Sequence, residues 1–107
     1  MAEETKKPEQ KKDTGKDDNV VFIGDKPFMN YVRAVEVQFG KEGCKEVIIK
    51  ARGRFISRAV DVEQVVKHGP IGSSITTKDL KTDSEEFENR EGRKVNVSTV
   101  EITLNRK

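Results

Sequence analysis

Residues 46–61, Glu-Val-Ile-Ile-Lys-Ala-Arg-Gly-Arg-Phe-Ile-Ser-Arg-Ala-Val-Asp, decide the fold. The opening run from Glu46 to Ala51 is short, apolar and rich in β-branched side chains, which reads as a buried strand. A basic turn, Arg52-Gly53-Arg54, follows. Beyond it Phe55, Ala59, Val62 and Val66 recur on one face of a helix reaching about His68, with Ile56 and Val60 widening the stripe. Strand, cationic turn and amphipathic helix make one βα unit.

The same unit precedes it. Val20-Val21-Phe22-Ile23, closed by Gly24, is a second buried-strand signal, and Phe28, Val32, Val35 and Phe39 trace one face of a helix. Pro27 suits that helix's first turn, Asp25 is its expected N-cap, and Gly40 stands where a left-handed C-terminal residue is wanted. Downstream, Gly69, Pro70 and Gly72 break the chain, and extended segments over about 74–88 and 93–105 flank Asn89-Arg90-Glu91-Gly92, a long terminal hairpin. In the last strand Val95 and Val97 are odd-numbered, whereas Val100, Ile102 and Leu104 are even. A strand alternates with period two, so the buried face changes side: either a bulge, or, as we expect, a hairpin with a packed base and a projecting tip.

At 107 residues the chain suits one domain, and 37% charged against 33% hydrophobic residues describes a modest core that a partner subunit would extend. The net charge of +2 announces no polyanion partner by itself. Of 21 bases and 19 acids, 5 and 6 fall in residues 1–18, leaving 16 and 13 for residues 19–107. Segment 1–18 has almost nothing to bury and is expected to be a disordered, near-neutral charged tail. A lone cysteine, Cys44, fits a reducing compartment, and no apolar run approaches the roughly 18 residues of a membrane span, so a soluble intracellular protein with no membrane partner is expected. Asn96-Val97-Ser98 matches a glycosylation sequon, which means little without a secretory signal.

Catalytic material is thin. His68 lies at a helix end, Cys44 has no second Cys or His at metal-ligand spacing, and no glycine-rich phosphate cradle follows a strand, so neither an enzyme, a metal site nor a cofactor is expected. Cations instead gather at the strand–helix junctions: Lys26 at the first, and Lys50, Arg52 and Arg54 at the second. If the two βα units lie side by side, both junctions fall at the carboxyl edge of the sheet, joined by Asn30, Tyr31, Arg33 and Arg58 from the helix starts. Helix N-termini there favour phosphate, and Gly53 between two arginines admits a close backbone.

These residues resemble the Alba family, small archaeal chromatin proteins with relatives among eukaryotic RNA-binding and ribonuclease P-associated proteins. The likeness lies in residues 19–32 (NVVFIGDKPFMNYV), residues 46–61 and the closing Val97–Ile102 (VSTVEI). It implies a two-layer βαβαββ domain of the α+β class, with a mixed sheet, two helices and a long C-terminal hairpin, similar to the C-terminal domain of a bacterial translation initiation factor. It further implies a dimer, with itself or with a paralogue, lying on double-stranded DNA while the hairpins follow the minor groove, at the chromosome in the cytoplasm. RNA is the alternative ligand, with Tyr31 available to stack on a base, and a protein-interaction role is a third reading.

Carried over residue by residue, the contacts implied are Lys26, Asn30, Tyr31, Arg52, Gly53 and Arg54. Lys50 and Arg58 come second, and Arg90 and Arg93 belong to the hairpin. Three departures stand out. Asp25 replaces the first of two lysines, leaving Lys26 as the candidate acetylation site; Pro70 replaces a phenylalanine that helps neighbouring dimers associate; and Asp83–Glu91 carries five acids against the single base Arg90. An acidic arm repels phosphate, so weaker duplex binding than in a basic-armed relative is expected.

Overall fold

The computed structural model describes residues 19–107. Segment 1–18, expected to be a disordered tail, lies outside the described residues. Strand β1 (Val20–Phe22) is followed by helix α1 (Phe28–Gly40), β2 (Glu46–Arg52), α2 (Ile56–Lys67), β3 (Ile75–Glu88) and β4 (Lys94–Arg106). Short 3₁₀ turns at Gly53–Phe55 and Gly72–Ser74 lead into α2 and β3. The sheet order is β1-β2-β4-β3, with β1 parallel to β2 and the other pairs antiparallel. This is the βαβαββ arrangement that the sequence implied.

Alternation along the strands builds the core. Val47, Ile49 and Ala51 of β2 lie opposite Leu104, Ile102 and Val100 of β4, and all six side chains are buried beneath the helices. The helices close over them with Tyr31, Val32, Val35 and Phe39 from α1 and Ala59, Val62 and Val66 from α2. Each large aliphatic group so buried stabilises the fold by roughly 1.5–3 kcal/mol. The last strand is fastened at its end: the Arg106 guanidinium donates to the carbonyls of Cys44 (3.0 Å) and Phe39 and lies over the Phe39 ring.

A buried acid was not legible in the helix pattern. Glu63 is only 5% exposed, and a charge taken from water must find partners. Thr77 donates its hydroxyl to Glu63 (2.5 Å) while Lys67, one turn along α2, donates to Thr77 (3.0 Å). The chain Lys67–Thr77–Glu63 ties α2 to the start of β3.

The phase change in β4 has its cause in its surroundings. β4 pairs with β3 without interruption from Lys94 to Arg106, whereas β2 ends where Arg52 meets Thr99. Residues 94–98 therefore pair only within the hairpin, which projects as a two-stranded arm. Val95 and Val97 lie there on the face opposite Val100, Ile102 and Leu104. A bulge does exist, but in β3: Thr77 opposes Leu104 and Asp79 opposes Thr103, leaving Lys78 extra. It turns Lys81, Asp83, Glu85 and Phe87 onto the helix-free face.

Two local expectations are corrected. Asp25 does not cap α1: Pro27 occupies the N-cap position, and no side chain bonds to the helix start. Gly40 ends α1 without a positive φ, and the left-handed residue is Gly43 (φ 84°), three positions later, where the chain turns into β2.

Gly72 is required for space rather than for conformation, because a Cβ there would stand 1.9 Å from the Lys67 carbonyl oxygen and 2.5 Å from its carbon. Gly72→Ala is expected to lower unfolding stability by about 2 kcal/mol or more, since backbone on both sides must shift. Gly40→Ala, which meets open space, serves as the near-neutral control. Denaturant titration of both variants measures the difference.

Candidate functional site

Parallel pairing of β1 with β2 places Phe22 beside Lys50, so the two chain exits toward α1 and α2 leave the same sheet edge as neighbours. The first exit, Gly24 to Pro27, is held from below. The Tyr31 hydroxyl accepts the Lys26 N–H (3.0 Å), and the Arg58 guanidinium donates to the carbonyls of Gly24 (3.2 Å) and Lys26 (2.7 Å) while covering the Tyr31 ring. Two of the residues singled out in the sequence thereby take part in the loop's own hydrogen bonding. Tyr31 is 7% exposed, so its ring is not offered to a base, and Arg58 is engaged by loop carbonyls; both position the loop.

Above this support Lys26, Asn30 and Arg33 are exposed at the start of α1. At the second exit Gly53 takes a left-handed turn (φ 59°) against Val97 of the arm, with Arg52 and Arg54 exposed on either side. Arg54 rests on the ring of Phe55, 4.8 Å from its centroid. The unpartnered N–H groups at the start of α1 add partial positive charge to this edge.

The cations are not equivalent. Lys50 pairs with Glu101 (3.4 Å) and lies over Phe22, while Arg52 pairs with Glu85 of the arm (3.7 Å) and lies over Phe87. Among the described residues no carboxylate forms an ion pair with Lys26 or Arg54. The two carboxylates escaped the reading of the sequence. Register finds them, because Glu101 stands opposite Lys50 and Glu85 lies one same-face step beyond the Asp83 that faces Thr99.

Arg90 and Arg93 are not part of this cluster. They sit at the arm's tip, about seven residues, or roughly 20 Å, beyond the last three-stranded row. Asn89 organises that turn: its side-chain oxygen accepts the N–H groups of Glu91 (2.9 Å) and Arg93 (3.0 Å), and its own N–H bonds to the Arg93 carbonyl (2.8 Å). The remaining reactive side chains serve local structure. His68 bonds to the Gln64 carbonyl at the end of α2 (2.8 Å), and Cys44 donates to that of Glu46 (3.4 Å). Among the described residues there is no group of three or more His, Cys, Asp or Glu that could hold a metal ion, and no helix long and apolar enough to cross a membrane.

A two-layer α/β body with a cationic edge and a projecting two-stranded arm has the build of a macromolecule-binding domain. The particular family follows from comparison: the Alba family model matches residues 19–84, and the chain belongs to that family. Among its relatives, the DNA/RNA-binding protein Alba of Methanocella arvoryzae is 50% identical over 90 residues, covering 84% of this chain and 92% of its own length. The protein of the same name from Nanoarchaeum equitans is 51% identical over 88 residues, 81% of this chain and 97% of its own. The solved structure of Alba from Thermoplasma volcanium superposes with a TM-score of 0.75 at 43% identity, covering 82% of this chain and all of that one.

Removing the Tyr31 hydroxyl tests how the first exit is held. Tyr31→Phe leaves the Lys26 N–H without its acceptor, and a cost of about 1 kcal/mol is expected. Faster hydrogen exchange at the Lys26 amide, with the strands unchanged, is the measurement.

Proposed function

We propose that the protein binds double-stranded DNA with little sequence preference, as a dimer and without catalysing a reaction, by gripping the sugar–phosphate backbone at the β1–α1 and β2–α2 junctions. The observation that carries this reading is the pair Lys26 and Arg54, exposed at one edge beside a helix start and, among the described residues, without a carboxylate partner. Phosphate contacts fix position but carry no base information, so sequence preference is low. Relatives named as DNA/RNA-binding proteins support the ligand class, and binding of this kind associates the protein with the chromosome.

The dimer is supported by an uncovered flank. Helix α2 lies over β2 and β4, leaving Leu80 of β3 exposed on the helix side of the sheet, with Ile56 and Val60 only half-buried at the neighbouring edge of α2. A second copy, or a paralogue, brought against this flank would bury it and double the cationic edge. Acetylation of Lys26 would remove one of the cations that have no carboxylate partner among the described residues. RNA is the second reading, favoured by an aromatic, Phe22, on the open face of the sheet.

Competition among duplex DNA, duplex RNA and single strands across a salt series tests the proposal. With about four to eight phosphates engaged per dimer, log affinity for duplex DNA should fall against log salt with a slope of roughly −4 to −7. The combined reversal of Lys26, Arg52 and Arg54 to Glu should abolish binding. A salt-independent affinity, or binding that survives the triple reversal, would falsify the assignment.

Glu85 supplies a separate expectation. Its carboxylate occupies Arg52 where a phosphate would bind, so Glu85→Gln should raise duplex affinity at low salt and steepen the salt slope by about one. Binding isotherms of the two proteins at matched salt measure both effects.

A further inference from the structure

Phe22, the last residue of β1, is 70% exposed on the open face of the sheet, where neither helix reaches it. Lys50 of the adjoining strand lies over its ring, 5.9 Å from the centroid. Beside them a hollow of about 440 Å³ opens between Phe22, Lys50, Arg52, Phe55, Thr99 and Glu101. That volume falls within the range of sites for small ligands, roughly 300–1,000 Å³. One wall is aromatic and the rim is cationic, and a hydroxyl, the carboxylates of Glu85 and Glu101 and three aliphatic side chains complete the lining.

This chemistry narrows the occupant. An apolar protein side chain would strip water from Lys50, Arg52 and Glu101 without replacing it, and a bare phosphate would leave the rings of Phe22 and Phe55 uncovered. A flat ring with polar edges, carried on an anionic backbone, satisfies all of them. Phe22 and Arg52 end their strands, so the hollow opens at the same carboxyl edge that presents Lys26 and Arg54. Bases within a duplex are stacked inside it and cannot reach the ring.

We propose that this hollow is a stacking site for an unpaired nucleobase of single-stranded RNA or DNA, with Phe22 as the platform and Lys50 and Arg52 contacting the adjoining phosphates. The inference rests on the nucleic-acid reading above and adds a second mode of binding, on the open sheet face rather than at the helix starts. Stacking tolerates any base, because every base presents a π-face.

The chain contains no Trp, so Phe22→Trp installs a single fluorescent reporter that keeps the aromatic face. Short oligouridylate and oligothymidylate should both quench it, and their relative affinities separate RNA from DNA. A duplex, or an abasic strand with the same number of phosphates, should leave it unchanged. In the full-length protein Phe22→Ala should weaken oligouridylate binding by roughly five- to a hundredfold, the range that loss of one stacked base produces, while duplex affinity holds. Single strands that bind without quenching, or an abasic strand that binds as well as oligouridylate, would overturn the base site while duplex binding stands. Failure to bind any nucleic acid would overturn the proposed function and this site together. A Phe22→Ala protein whose oligomeric state changes instead would identify the ring as a contact between copies and overturn the inference.

Discussion

Three rows of parallel pairing, Val20 with Ile48, Val21 with Ile49 and Phe22 with Lys50, hold the candidate site together. A parallel pair cannot be closed by a tight turn; it needs a crossover, here α1, and that crossover brings both strands to their carboxyl ends side by side. Every cation at the junctions inherits its position from this constraint. Arg58 then makes the arrangement specific, since one guanidinium from α2 reaches the two carbonyls that flank Asp25 in the other junction. Arg58 thus couples the position of α2 to the shape of the loop.

Much of this was legible before any coordinates. The stripes on α1 and α2, the two strand runs and the hairpin turn all rest on periodicity, a local signal, and they lie where the pattern put them. The misread features depend on long-range contacts. Asp25 looks like a cap in isolation, but the loop it sits in is held by Tyr31 and Arg58, from later in the chain. Tyr31 and Arg58 stand out as ligand candidates by residue type, and only the fold shows that the first also supplies an acceptor to a backbone N–H and the second also donates to backbone carbonyls. The change of buried face in β4 was legible as a projecting hairpin, which is what β2 ending opposite Thr99 produces; the bulge at Lys78 in β3 left no such mark on the pattern. Glu63 was invisible because the Thr77 that accommodates it lies beyond the next turn.

The charge pattern is a graded one rather than a patch. Exposed ion pairs of the Lys50–Glu101 and Arg52–Glu85 kind contribute little to stability, typically 0–1 kcal/mol, so their main consequence lies elsewhere. They hold the two side chains extended along the open sheet face and lower the local positive potential there. Lys26 and Arg54 have no such partners among the described residues. Under the proposed function, engagement of Arg52 by a phosphate requires displacement of a carboxylate that is itself well hydrated.

The arm extends the same logic along its length. After the bulge at Lys78, Asp83, Glu85 and Phe87 face one side and Glu86 and Glu88 the other, so both sides of the shaft carry acids. Only beyond them, in the turn fixed by Asn89, do Arg90 and Arg93 appear. An isolated two-stranded ribbon is marginal in water, and little besides Val95, Val97 and Phe87 clusters along this one. A phosphate backbone drawn to both ends of such an arm would be repelled by its middle. Contact at two points separated by roughly 20 Å, at the body edge and at the tip, is therefore the geometry that the charges allow, and an evenly gripped groove is the one they oppose.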